Sequence, residues 1–172
     1  MKLAKGLLVL SAVFSSYAMA GTYVAEVNCQ AGGCLKGGWV IHNLRDPGTL
    51  LVDCVEQDCM MKGWTEQVVG RGGQVRTFCE NEGCFHRGFT SVDRMTGREI
   101  GRTRCLRGVE GTPQCLTGGW VSQNTYGQQA TVTCKESDCD KNGWEATSQG
   151  QWLNIVCKEG GCFQSGWWVY QN

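Results

Sequence analysis

Residues 29–39 read CQAGGCLKGGW, two cysteines four residues apart followed by a Gly-Trp step. The arrangement returns five more times. Its cysteine pairs are Cys29 and Cys34, Cys54 and Cys59, Cys79 and Cys84, Cys105 and Cys115, Cys134 and Cys139, and Cys157 and Cys162, and all but the fourth are spaced Cys-x4-Cys. After them come Gly38-Trp39, Gly63-Trp64, Gly88-Phe89, Gly119-Trp120, Gly143-Trp144 and Gly166-Trp167. The first three units recur every 25 residues, a period typical of repeat architectures, in which each unit buries its apolar face only against its neighbours.

A coarser repeat lies above this one. CLKGGWVIHN from Cys34 matches CLTGGWVSQN from Cys115 at seven of ten positions, and the second and third units likewise match the fifth and sixth best. The order is ABC-ABC, a duplicated triplet: residues 21–104 form the first and residues 105–172 the second, with the seam near residues 95–114, where the cysteine spacing is enlarged.

Between each aromatic residue and the next cysteine lies a turn signal: Asp46-Pro47-Gly48, Gly70 to Gly73, Thr96-Gly97, Tyr126-Gly127 or Gln149-Gly150. Residues two and four before each first cysteine are mostly β-branched or apolar, as at Val27 and Ala25 or Ile155 and Leu153, which is period-two alternation. No stretch sustains a helical period. The expected fold is all-β, six tandem disulfide-stapled β-hairpin repeats with about twelve strands. The first strand and the last are each half a hairpin. Pairing them would close a ring or barrel and remove both sheet edges; the alternative is two packed three-hairpin subdomains.

Upstream of the repeats, Lys2 and Lys5 precede an apolar run from Gly6 to Phe14, and Ala18-Met19-Ala20 supplies a small-x-small cleavage pattern. Residues 1–20 therefore read as a signal peptide, and its apolar run is too short to span a bilayer. The expected product is exported, periplasmic or secreted, with no membrane span. It keeps all twelve cysteines and carries 14 basic against 16 acidic side chains, a balance that excludes attraction to nucleic acid or membrane by net charge alone.

An even cysteine count in an oxidising compartment reads as six disulfides. Two pairings fit: within each unit, or from the second cysteine of one unit to the first of the next, with Cys29 and Cys162 bridging the ends. The enlarged loop between Cys105 and Cys115 favours the first. Each local bridge would contribute about 2 kcal/mol through the unfolded chain. Structural zinc sites favour shorter spacings and thiolates survive poorly outside the cytosol, so no metal and no cofactor is expected.

The six Gly-aromatic positions suit a repeated core layer, since each ring buries about 150 to 250 Å² and glycine admits close backbones. Tyr126, Trp152, Trp168 and Tyr170 break the repeat and are the candidates for a ligand surface. Catalysis finds little support. His42 aligns with Gln123 and His86 with Gln164, and with every cysteine paired no thiol remains as nucleophile. Glu56, Asp58, Glu80, Glu82, Glu136 and Asp138 crowd the cysteine loops and read as solvated loop residues.

Arg87, Arg94, Arg98, Arg102, Arg104 and Arg107 fall within 21 residues, and the matching stretch of the second half would lie past the last residue. Arg98, Arg102 and Arg104 are candidate contacts to a polyanion, because guanidinium forks fit phosphate and carboxylate. The expected function is that of an exported non-enzymatic binding protein of the cell envelope or exterior, taking a glycan, polyanion or protein partner, and monomeric. The rival readings are a self-associating matrix, coat or appendage component and an inhibitor or toxin-neutralising protein, with a small hydrolase using the acidic loops behind them.

Overall fold

The computed structural model describes residues 22–44, 48–81, 83–108, 111 and 114–172. The expected signal peptide, Asp46-Pro47 and Glu82 lie outside the described residues. The chain forms one closed antiparallel barrel of twelve strands: β1 (Thr22–Cys29), β2 (Trp39–Asn43), β3 (Thr49–Cys54), β4 (Trp64–Val68), β5 (Gln74–Cys79), β6 (Gly88–Asp93), β7 (Glu99–Cys105), β8 (Trp120–Asn124), β9 (Gln129–Cys134), β10 (Trp144–Ser148), β11 (Gln151–Cys157) and β12 (Gly166–Gln171). Each strand pairs with its neighbours in sequence, and β1 pairs with β12 from Thr22 opposite Gln171 to Asn28 opposite Gly166. One sheet thus runs through both triplets, which removes the alternative of two subdomains. Four of the expected turn signals sit between strands at one end of the barrel.

The cysteine loops gather at the other end. Five of the six carry a single helical turn, α1 (Cys34–Gly37), α2 (Cys59–Lys62), α3 (Cys115–Gly118), α4 (Cys139–Asn142) and α5 (Cys162–Ser165), too short to leave a periodic trace in the sequence. All six disulfides are within units, and none of the twelve cysteines is free. The second cysteine of every pair is fully buried. The sulfur of each first cysteine lies 3.3 to 3.7 Å from the carbonyl oxygen of the second cysteine in the preceding unit, and Cys29 completes the ring against Cys162. A disulfide sulfur has no proton to donate, so these are packing contacts; they lock each staple to its neighbour.

The lumen is filled, not hollow. Trp39, Trp64, Phe89, Trp120, Trp144 and Trp167 all turn inward and are buried. Their ring centroids follow one another around the wall, at 5.6 Å for Trp39 and Trp64, 4.8 Å for Trp64 and Phe89, 5.7 Å for Trp120 and Trp144, and 5.0 Å for Trp144 and Trp167. Phe85 and Phe163, which follow the second cysteine in the third unit of each triplet, meet edge to face at 5.8 Å. Phe85 stacks on Trp64 and Phe163 stacks on Trp144, the same contact made once by each half. The internal duplication is therefore visible as repeated packing as well as repeated sequence.

The glycine before each aromatic is required by a close approach. A Cβ on Gly38 would stand 2.0 Å from the Val52 carbonyl oxygen, and one on Gly119 2.0 Å from that of Val132; at Gly166 the same collision falls across the chain ends, 2.1 Å from Val27. The backbone at Gly119 is also left-handed, with φ of 83°. Gly119→Ala is expected to cost at least about 2 kcal/mol in urea denaturation, from strand separation added to a strained φ. Gly97→Ala, in an open turn with nothing within 4 Å of its Cβ, is expected to cost about 1 kcal/mol. Equal losses at the two positions would show that the close approach is not what the glycine provides.

Candidate functional site

Because the triplet is duplicated, the barrel has two walls made of equivalent strands. One is β5–β6–β7 and the other is β11–β12–β1. The middle strands β6 and β12 are six apart in a ring of twelve, so the walls stand on opposite sides. Alternation sends every second side chain outward, and the outward residues are where the halves differ.

The β11–β12–β1 wall is aromatic. Tyr23 and Tyr170 face each other with ring centroids 5.8 Å apart. Trp168 sits one outward step along β12, opposite Glu26 on β1 and Val156 on β11. Trp152 enters β11 with 44% of its surface exposed. Polar groups are fixed beside the rings. Lys158 donates to Glu26 at 2.5 Å and to Asn28, and its ammonium lies 5.6 Å from the Trp168 ring centroid. Lys135 donates to the Asn154 side-chain oxygen at 2.6 Å and to the Ile155 carbonyl at 2.9 Å. The hydrogen bond from Lys158 and its charge hold the Glu26 carboxyl below its ordinary range against the opposing effect of burial. Burial, and then Glu26, push the Tyr23 phenol up.

Trp152, Trp168 and Tyr170, picked out as residues that break the repeat, thus fall on one wall. Tyr126 does not join them. It caps the β8–β9 hairpin and is exposed at the turn end of the barrel, as are Leu44, Val69 and Met95 at other hairpins. Tyr23, Glu26 and Lys158 complete the aromatic wall and were not singled out in the sequence. Their signal is the outward register of β1 and the β1–β12 closure, which brings together residues from opposite ends of the chain.

On the β5–β6–β7 wall, Arg102 and Arg104 point outward from β7 and Arg98 ends the exposed turn before it. Arg102 is engaged by Glu99 at 3.3 Å and Glu80 at 4.0 Å. The arginine stretch has a counterpart after all, contrary to the sequence expectation: β7 corresponds to β1, so Arg102 corresponds to Glu26 and Glu80 to Lys158. The same ion pair recurs in both walls with its charges exchanged. Arg76, Phe78 and Arg94 also belong to this face, and the outward alternation of β5 is the signal for the first two.

Asp58, Asp138 and Glu56, among the acidic loop residues, make local contacts. Asp58 and Asp138 each accept the backbone N–H three residues on, at 3.0 Å, starting α2 and α4. Glu56 pairs with Lys62 at 3.4 Å. Among the described residues no three His, Cys, Asp or Glu side chains are grouped to hold a metal ion. His42 and His86 are both exposed, and His42 has the Thr49 hydroxyl 3.5 Å from its Nδ1.

Inside the barrel one polar chain interrupts the apolar core. Trp64 donates its indole N–H to Glu66 Oε1 at 2.7 Å, Thr77 reaches the same oxygen at 3.5 Å, and the Thr77 and Ser91 hydroxyls are 2.8 Å apart. Thr103 and Ser122 form a separate hydroxyl pair at 2.7 Å. Ile41 stands where Glu66 stands one unit later, and the buried Trp39 N–H has no hydrogen-bond partner among the described residues.

Compared with protein-family models, with curated proteins and with solved structures, the chain matches none. Its chemistry is read from its own geometry.

Burial pushes the Glu66 carboxyl up from 4.5 to about 7, with the Trp64 and Thr77 hydrogen bonds opposing the shift. Below pH 4.5 the group is neutral folded or unfolded. As pH rises through the interval to 7 the unfolded chain releases the proton and the folded one retains it, so stability falls by about 3 kcal/mol and then levels. Urea denaturation between pH 4 and 8 is expected to show this decline, and Glu66→Gln is expected to remove it. A decline that persists in the Gln variant would assign it to another group.

Proposed function

We propose that this chain is an exported, non-enzymatic binding protein that recognises a surface glycan through the β11–β12–β1 wall. The observation that carries the reading is the run of outward aromatic rings, Trp152, Tyr170, Tyr23 and Trp168, flanked by Lys158, Glu26, Asn28 and Asn154. Sugar rings present C–H faces that pack on aromatic rings, and hydroxyls that require fixed donors and acceptors at the edge. Both are supplied here on regular strands. Six staples and a filled lumen keep the wall preorganised, which lowers the ordering cost of binding. The disulfides suit an oxidising compartment, as expected of a chain exported to the periplasm or exterior.

A self-associating matrix component is the second reading. It is favoured by Leu44, Val69, Met95 and Tyr126, four large exposed apolar side chains at the turn end. That reading requires the protein to assemble with concentration in sedimentation, whereas the favoured reading leaves it monomeric.

Screening the oxidised protein on immobilised glycans is expected to find a saccharide ligand. Trp152→Ala, on an exposed ring, is expected to weaken it about tenfold or more, as for an aromatic anchor. Retention of no glycan, or an unchanged affinity in the variant, would overturn the reading.

A further inference from the structure

We propose that the opposite wall holds a second binding site, in which Arg76 and Arg94 together take a tetrahedral oxyanion, phosphate or sulfate, carried on an extended chain. Arg76 projects outward from β5 between Thr65 on β4 and Val92 on β6. Arg94 opens the β6–β7 turn and is fixed twice to Gln74, by its backbone N–H to the carbonyl at 2.9 Å and by its guanidinium to the side-chain oxygen at 2.7 Å. The Arg76 guanidinium donates to the Lys62 carbonyl at 3.2 Å and lies 5.1 Å from the Phe78 ring centroid. Both arginines line one shallow groove of about 340 Å³ with Thr65, Phe78, Val92 and Asp93.

The charges in this groove are not balanced from within. Asp93 lines it and sets one negative charge against two positive ones, and its Oδ1 is taken up by the Met95 and Thr96 N–H groups, each at 2.9 Å. Glu56 acts on Arg76 from the side while paired with Lys62. Neither Arg76 nor Arg94 forms a salt bridge with a carboxylate among the described residues. Burial and then the charge of Arg94 lower the pKa of Arg76, so the two guanidiniums repel each other across the groove. A negatively charged group with several acceptor oxygens relieves that repulsion and matches guanidinium forks. Phosphate and sulfate groups present their non-bridging oxygens in a tetrahedral array that two guanidiniums can share, whereas a carboxylate presents two oxygens in one plane. Arg104 stands on β7 two outward rows from Arg76, beyond the row of Phe78, Thr90 and Arg102, and has no ion pair to a described residue; a second positive charge that far along the wall suits a chain rather than a lone ion. The site is particular to this wall, because Asn154 and Trp152 stand where Arg76 and Gln74 stand in the other half. Of the arginines picked out by sequence clustering, Arg102 is already paired and Arg98 lies outside the groove.

The test titrates the oxidised protein with polyphosphate, dextran sulfate and neutral dextran over a range of salt concentrations. At least one polyanion is expected to bind and neutral dextran to fail to compete; polyphosphate alone assigns the group as phosphate, dextran sulfate alone as sulfate. Arg76→Ala with Arg94→Ala is expected to weaken binding tenfold or more and to flatten the logarithmic salt dependence by about 0.7 to 0.9 for each anionic group no longer neutralised, taking nucleic-acid slopes as the scale. Arg102→Ala is expected to change affinity less than threefold. Replacing Arg76 and Arg94 by Lys keeps the charge and the fold, and is expected to lower affinity while retaining most of the salt slope. Binding of neither polyanion, or a double Ala variant with unchanged affinity and slope, overturns the proposal. Glycan binding on the far wall is read separately, so either site can fail without the other.

Discussion

Six places where a glycine lies flat against the carbonyl of the next hairpin set the dimensions of this barrel. Each contact draws one cysteine loop over the neighbouring strand and turns the following aromatic residue into the lumen. The same approach brings every first cysteine against the preceding unit's second cysteine, which closes the staples into a ring. A side chain at these glycines would hold adjacent hairpins apart, and the core layer and the staple ring would loosen together. This dependence explains why the Gly-aromatic dipeptide survives in all six units while most other positions vary.

Strict sixfold repetition would not fill the axis. The residue after the second cysteine is Leu35 or Leu116 in the first unit of a triplet, Met60 or Asp140 in the second, and Phe85 or Phe163 in the third. Only the two phenylalanines meet at the axis, and each leans on the tryptophan of the unit before it. Two large rings fill a space that six would overpack. The halves then diverge in detail. Asp140 accepts the Phe163 N–H at 2.8 Å, whereas in the first half the Met60 carbonyl accepts the Cys84 N–H at 2.7 Å. A backbone carbonyl closes the joint in one half and a side-chain carboxylate in the other.

With the interior committed to packing, the outer walls are free to change. Equivalent strands carry Lys158 with Glu26 on one side and Glu80 with Arg102 on the other, the same bridge in opposite polarity. Around it one wall has accumulated tyrosine and tryptophan and the other arginine and phenylalanine. A rigid scaffold with two divergent copies of one surface offers a route to two ligand chemistries on one small protein, because neither change disturbs the lumen. Glu66, the one buried carboxyl among the described residues, follows the same logic inside. It appears in one unit only, where Trp64, Thr77 and the neighbouring hydroxyls offer it partners.

The repeat and the strand alternation could be read from the chain, because each depends on residue types at fixed spacing within a unit; the local disulfides and the closing of the ring by half-hairpins were each the favoured one of two readings, and the folded sheet decided between them. The inward course of the six Gly-aromatic positions followed from the same spacing. What the chain alone left unassigned depends on register between strands. Tyr23 meets Tyr170, and Arg94 joins Arg76, only once the strands are laid side by side; Tyr126 parts from Trp152 for the same reason. The part of the arginine stretch on β7 looked unmatched because its counterpart, β1, lies at the start of the first triplet and reaches the equivalent place beside β12 only through the closed sheet. Burial leaves its mark at every inward position of every unit, so periodicity reports it. An outward surface is assembled from neighbouring strands, and its composition is decided by which strands the barrel brings together.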